Sequence, residues 1–293
     1  MKNFTNFDLN RGIIIPLNQI IIPFYQLFTS QYSTNSVTGA KLCEAPNILD
    51  VGKSVASSKS NLINKSNVVG STNLVLWGTN LGSTAKTGRL TKIVRYMIEL
   101  PSYQKSVIVG LLLSDGWLSR TESKNEKNAR LGFRQSINKF EYVWYVFNVI
   151  SHYCERYPYT YGSTRGGKTH YNVTITTRAL PCFTLLQDIF YVDSKKIVPK
   201  NIYELLTPVA LANLIEGDGT YLPGKGLRIC TDSFTLHDCI KLMNVLMIRY
   251  RLNVTLHVDR GRYRIYIIKS SMPLLISIVY PFMIPSMLYK LGL

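Results

Sequence analysis

Two aspartates stand out by what surrounds them. Asp115 follows the run Ser106-Val107-Ile108-Val109-Gly110-Leu111-Leu112-Leu113-Ser114 and precedes Gly116; Asp218 follows Leu211-Ala212-Asn213-Leu214-Ile215-Glu216-Gly217 and precedes Gly219. The two runs lie about one small domain apart, so the chain reads as two tandem copies of one unit. Each run is too long for most strands and too short to span a bilayer, which predicts a buried helix. Each helix is expected to stop at Asp-Gly, where glycine is the usual terminator. Thr207-Pro208 opens the second copy as an N-cap followed by proline at the first helical position. Gly110 and Ser114 are small and four apart, and Asn213 and Gly217 occupy the same register, so the two helices are expected to pack closely on these faces. A carboxylate at a helix C-terminus faces the negative end of the macrodipole. Two of them brought together repel unless a cation sits between them. Magnesium or calcium, which take hard oxygen ligands, would relieve that repulsion.

Read singly, each run is an ordinary core helix ending in Asp-Gly. Read together, they resemble the signature of the LAGLIDADG homing endonucleases, in the single-chain, two-motif form of organelle introns. The resemblance runs from about Leu90 to the C-terminus. It departs from the motif at Asn213, where the motif has glycine, and at Leu113, where it has its first acid. It implies that Asp115 and Asp218 are catalytic and hold Mg²⁺ or another divalent cation, with Gly116 and Gly217 contributing to the metal site. It also implies one basic residue near each half of the centre. Lys196, in Ser194-Lys195-Lys196-Ile197-Val198-Pro199, matches the first, with Lys195 and Lys200 close enough to substitute for it. Lys290, in Pro285-Ser286-Met287-Leu288-Tyr289-Lys290, matches the second.

The composition agrees with a polyanionic partner. Of 293 residues, 34 are Lys or Arg and 17 Asp or Glu, a net charge of +17. Nucleic acid is the first candidate and an anionic membrane surface the second. Nineteen tyrosines add hydrogen-bonding side chains suited to phosphates and base edges. The five cysteines (Cys43, Cys154, Cys182, Cys230 and Cys239) are odd in number and scattered, and His152, His170, His237 and His257 complete no zinc spacing with them. They read as free thiols of a reducing interior.

Along the chain, residues 1–69 read as a leader: an apolar stretch interrupted by Pro16 and Pro23, then Ser/Asn/Lys-rich linker. Order is expected to resume near Asn73 to Trp77, followed by a short amphipathic packing helix with Leu90, Ile93, Val94 and Met97 on one side. Residues 70–202 and 203–293 are the two predicted units. In each, the hydrophobic period shifts from helix to hairpin to helix to hairpin to helix. That order matches the αββαββα unit of the family. The fold class is therefore α+β: two tandem αββαββα units, each a four-stranded antiparallel sheet backed by helices and paired through the motif helices.

Each sheet should carry one apolar and one polar face. On the polar face of the first unit the sequence puts Arg120, Arg130, Arg134, Asn172 and Thr174. On that of the second it puts Arg228, Thr255, His257, Arg262, Arg264 and Tyr266. Arginine pairs with guanine, asparagine with adenine, and threonine with either. The expected partner is double-stranded DNA, read over a long site that is asymmetric because the halves differ. The chain is expected to act as a monomer with internal pseudo-two-fold symmetry, with no small-molecule substrate, in the mitochondrial matrix. The main expectation is thus a metal-dependent, site-specific double-strand DNA endonuclease. The alternative is an RNA maturase that binds its host intron and aids splicing. A DNA-binding regulator without catalysis is a third reading, and both retained acids speak against it.

Overall fold

The two apolar runs form crossed helices, and the other described elements are arranged around them. In the computed structural model, residues 81–120, 128–165 and 167–293 are described. The leader, Cys43 and the expected restart at Asn73 to Trp77 lie outside them, while the described residues belong to one compact unit. Within it the order is α1 (Lys92–Met97), α2 (Ser102–Leu113), β1 (Gly116–Arg120), β2 (Ala129–Ser136), α3 (Phe140–Ile150), β3 (Tyr159–Arg165), β4 (Lys168–Thr176) and α4 (Pro181–Phe190). A small hairpin, β5 (Tyr191–Val192) and β6 (Lys195–Lys196), and a short helix α5 (Ile202–Leu205) lead into the second unit. There α6 (Pro208–Asp218), β7 (Gly219–Leu222), β8 (Gly226–Cys230), α7 (Leu236–Ile248), β9 (Val254–Asp259), β10 (Arg262–Ile268) and α8 (Met272–Val279) repeat the first. Each half is αββαββα. The sheets are antiparallel, with equivalent strand orders β1-β2-β4-β3 and β7-β8-β10-β9. Among the described residues, no helix is long and apolar enough to cross a membrane.

Local chemistry explains the main boundaries. Thr207 caps α6 by accepting from the Ala210 amide, with Pro208 in the first turn, as the sequence predicts. The ends of α2 and α6 differ from expectation. Neither Gly116 nor Gly219 adopts a left-handed conformation; Gly219 is extended, at φ −71° and ψ 145°. Glycine is needed instead because each strand starts against the last turn of its own helix. A Cβ at Gly116 would lie 2.8 Å from the Leu111 carbonyl oxygen, and one at Gly219 2.6 Å from that of Ile215. The β9–β10 turn has Arg260 and Gly261 at φ 53° and 76°, the sense that a two-residue hairpin requires.

Inward-facing Leu131, Phe133, Val173 and Ile175 of the first sheet pack under α3 and α4, with Phe133 edge-on to Tyr142. The second sheet buries Leu227, Ile229, Ile265 and Ile267 in the same way. Cys154, Cys182 and Cys239 are free and buried, and Cys230 is free and half-buried. The chain before α1 is anchored by the buried Arg178, whose guanidinium donates to Thr84 Oγ1 at 2.7 Å and to the Gly88 carbonyl at 2.8 Å. Helix α1 is not the packing element expected. It is only six residues long, and Ile93 and Met97 are 74% and 73% exposed.

Candidate active site and nucleic-acid faces

The crossing of α2 and α6 fixes the distance between the two acids. A Cβ at Gly110 would lie 2.5 Å from the Ala210 carbonyl oxygen and from the Asn213 β-carbon. The crossing accommodates Asn213 because Gly110 faces it. Asn213 is fully buried, its amide donating to the Val209 carbonyl at 3.0 Å and its oxygen accepting from Tyr142 Oη at 3.3 Å. Asp115 and Asp218 follow at the same ends of the two helices. Burial, and then the charge of Asp115, raise the Asp218 carboxyl to about 7, against the opposing pull of Lys290, Lys196 and Lys139. A Cβ at Gly217, the residue before Asp218, would lie 3.5 Å from Asp115 Oδ2, so the two acids sit side by side and repel.

Each motif end receives one lysine. The I′-type turn at Asp193 and Ser194 (φ 47° and 62°) folds β6 back on β5, pairing Lys196 with Tyr191. Tyr191 Oη in turn accepts from the Leu118 amide at 3.0 Å. From there Lys196 Nζ donates to the carbonyls of Ser114 (3.0 Å) and Gly116 (2.7 Å). Lys290 is only 6% exposed, and its Nζ donates to the Gly217 carbonyl at 2.6 Å. Burial lowers both ammonium groups to about 8, aided at Lys290 by Lys139 and opposed at both by the aspartates. Lys195 is exposed on the same short strand.

Two further residues enter this site that the sequence reading passed over. Gln135 Nε2 donates to an Asp115 carboxylate oxygen in a short hydrogen bond. The period-two pattern assigns Gln135 to the apolar face with Phe133, and a lone polar residue in an apolar row was the available signal. Lys139 lines a cleft with Lys290, Tyr289, Thr220 and Tyr221. The donor set suits a hard cation: two carboxylates crowded together with backbone carbonyls beside them. Among the described residues no group of three or more His, Cys, Asp or Glu gathers, so water or a ligand's oxygens would complete the shell.

The sheet faces agree with expectation at most positions. In the first half, Arg130 pairs with Ser119, Arg134 with Thr174 and Ser136 with Asn172, which places all of them on the face away from the helices. Arg134 Nε donates to Thr174 Oγ1 at 3.1 Å, and its guanidinium lies over the rings of Trp117 and Tyr161. One assignment needs correction, and one residue stands on the expected face but is covered. Arg120 pairs with Ala129 and shares the helix-covered side with Leu118, because alternation along β1 sets residues 118 and 120 on the same face. Its guanidinium pairs with Asp188 of α4. Thr174 is on the polar face but only 1% exposed, its hydroxyl already occupied by Arg134.

In the second half, Thr255 pairs with Tyr266 and His257 with Arg264 across β9–β10, and Arg228 pairs with Tyr266 across β8–β10. All lie on one face. His257 Nε2 is 3.0 Å from Thr255 Oγ1, and the imidazole lies 4.4 Å from the Tyr266 ring. Asp232 accepts from Arg262 at 2.9 Å and from Arg264 at 3.2 Å, while Asp259 accepts from Arg264 at 2.5 Å. These acids hold the guanidinium groups in a row.

Residues 105–275, more than half of the chain, match the LAGLIDADG DNA endonuclease family. A cytochrome b mRNA maturase of Debaryomyces hansenii is 30% identical over 68% of this chain and 78% of its own length. The corresponding maturase of Saccharomyces cerevisiae is 32% identical over 64% of this chain and 47% of its own length. Among solved structures, the homing endonuclease I-WcaI bound to its DNA recognition sequence superposes with a TM-score of 0.63 at 24% identity, covering 70% of this chain and 94% of that one. The chain belongs to the LAGLIDADG DNA endonuclease family.

Proposed function

We propose that this protein is a site-specific endonuclease that cuts both strands of DNA at a long, asymmetric site. The observation that carries the reading is the pairing of Asp115 and Asp218 at the ends of two crossed helices, each end served by its own lysine. The two polar sheet faces, with their rows of arginines, suit the two half-sites of a duplex. Asp115 and Asp218 would hold Mg²⁺ or another divalent cation, to which the Gly116 and Gly217 carbonyls, already accepting from Lys196 and Lys290, would offer their remaining lone pairs. Bound there, such a cation would supply Lewis acidity at the scissile phosphates and lower the pKa of a bound water. Gln135 orients the Asp115 carboxylate. Lys196 and Lys290 offset the negative charge that builds on phosphate oxygens as the bonds break. Arg130, Arg134, Asn172, Arg228, Thr255, His257, Arg262, Arg264 and Tyr266 contact backbone and base edges. Thr174 acts only through Arg134, and Arg120 has no DNA role. The protein works as a pseudo-symmetric monomer in the mitochondrial matrix, encoded by the organelle.

The test is cleavage, with Mg²⁺, of duplex DNA spanning the intron-free exon junction of the gene that carries this reading frame, beside a scrambled duplex. Cutting of both alike, or undiminished cutting in chelator, would sink the proposal. A second reading, an RNA maturase that aids splicing of the host intron, is favoured by the two relatives named as maturases. Protein that binds the junction without cutting it, yet promotes splicing, would move the assignment there.

A further inference from the structure

The segment carrying Lys196 is held from the other half of the molecule. Val198, two residues beyond Lys196, is fully buried, and both of its backbone polar groups are held by α7. Its amide donates to Asp238 Oδ1 at 3.3 Å, and its carbonyl accepts from Lys241 Nζ at 2.9 Å. Lys241 also donates to Asp238 Oδ1 at 3.1 Å, and Thr235 Oγ1 donates to the other Asp238 oxygen at 2.8 Å. Asp238 is 3% exposed and paired at both oxygens, while Lys241 is half-buried and Thr235 exposed, so the cluster sits at the edge of the core with its members fixing one another.

The second lysine segment uses a related device within its own half. The Ile284 amide, which like that of Val198 immediately precedes a proline, donates to Glu216 Oε1 at 2.8 Å. Glu216 stands two residues before Asp218. The same place before Asp115 is Leu113, which has no acceptor to offer. The first half therefore takes its carboxylate from across the molecule.

We propose that Asp238 and Lys241 of the second unit are positioning residues for Lys196 of the first, clamping Val198 so that the ammonium reaches the carbonyls beside Asp115. The cleavage consequence rests on the endonuclease reading; the clamp itself does not. It is tested on the full chain by timed labelling with an amine-reactive acetylating reagent and peptide mapping. Lys241→Met should speed modification of Lys196 by about tenfold, the scale of a lost charge-assisted hydrogen bond, and leave Lys290 unchanged. Lys241→Arg, which restores a donor, should return Lys196 to its slow rate. Asp238→Asn should repeat the effect of Lys241→Met in protein whose melting transition shows it folded. Unchanged labelling of Lys196, or a parallel rise at Lys196 and Lys290, would overturn the clamp. In strand-resolved nicking, Lys241→Met should slow the same strand that Lys196→Met slows. Equal slowing of both strands would show general loosening and defeat the proposal. Wild-type protein that cuts no DNA would refute the endonuclease reading while the labelling result still decides the clamp.

Discussion

Gly217 of one motif helix lies so close to Ser114 of the other that a methyl group at 217 would stand 2.5 Å from the Ser114 β-carbon. Gly110 and Asn213 make the matching approach across the pseudo-dyad, against backbone that has no rotamer to escape to. Gly110→Ala gains helix propensity of about 1 kcal/mol, but overpacking costs about 1–3 kcal/mol and a backbone clash lies at the upper end. Net destabilisation of about 1–2 kcal/mol should lower the melting temperature by several degrees. Calorimetry giving an equal or higher melting temperature would mean the helices separate freely, and the acid spacing would then not be fixed by the crossing.

Glu216 has the reverse of an ordinary acid's behaviour. Its Oε2 has no hydrogen-bond partner among the described residues, and burial raises the carboxyl to about 8, outweighing the Ile284 amide and Lys290. The folded pKa is above the unfolded value of about 4.3, so the group's contribution to stability is complete below that pH and is lost as pH rises through about 8. Glu216→Gln keeps an acceptor for Ile284 and removes the titration. Denaturant unfolding from about pH 5 to 9 should therefore show the variant losing less stability than wild type. Parallel pH profiles would show that Glu216 is ionised in the folded protein.

Much of this was legible from residues because the signals were local. The two apolar runs, the Thr207-Pro208 start, the Gly110 face and the hairpin turn at Arg260-Gly261 all follow from nearest-neighbour chemistry. Arg120 falls on the apolar side because period two sets it two positions from Leu118; its charge is no guide there, since at the strand's end the guanidinium reaches out to Asp188. The hairpin that presents Lys196 was missed because Asp193-Ser194 is a weak I′ signal beside Asn-Gly or Asp-Gly. Gln135 and Asp238 act through contacts at 20 and 40 residues' separation, which no spacing rule reaches.

Those two faces of the first sheet make opposite predictions for arginine. Arg134, exposed beside Trp117 and Tyr161, should lose about 1–3 kcal/mol of DNA affinity as Arg134→Ala. Arg120→Ala should leave affinity unchanged and cost little stability, since its pair with Asp188 is exposed. Fluorescence anisotropy on one labelled duplex compares them directly. A larger loss at Arg120 than at Arg134 would reverse the assignment of faces.

With a net charge of +17, affinity itself should be dominated by counterion release. If about 6–10 phosphates are neutralised, binding weakens by about 10³–10⁵-fold between roughly 50 and 200 mM salt. A nearly flat dependence would be incompatible with a protein that tracks the phosphate backbone through both half-sites.

The decisive variants are Asp115→Asn and Asp218→Asn. Asparagine keeps the shape of each helix end and removes a negative charge facing the phosphates. DNA binding, measured without divalent cation, should be kept or slightly strengthened. Double-strand cleavage in Mg²⁺ should fall by about 10²–10³-fold or more, because charge stabilisation at the phosphate and activation of water are lost together. The two variants should differ in detail. Asp115 is held by Gln135, whereas the pseudo-symmetric position in the second half is Thr231, whose hydroxyl donates instead to the Tyr263 carbonyl at 2.6 Å. Residual nicking should therefore fall on different strands in the two variants, and a sequencing gel of end-labelled product resolves which. Splicing assistance, where present, should survive both changes, since it rests on binding. Full double-strand cutting by both variants would reduce Asp115 and Asp218 to ordinary helix ends and end the endonuclease assignment of this centre.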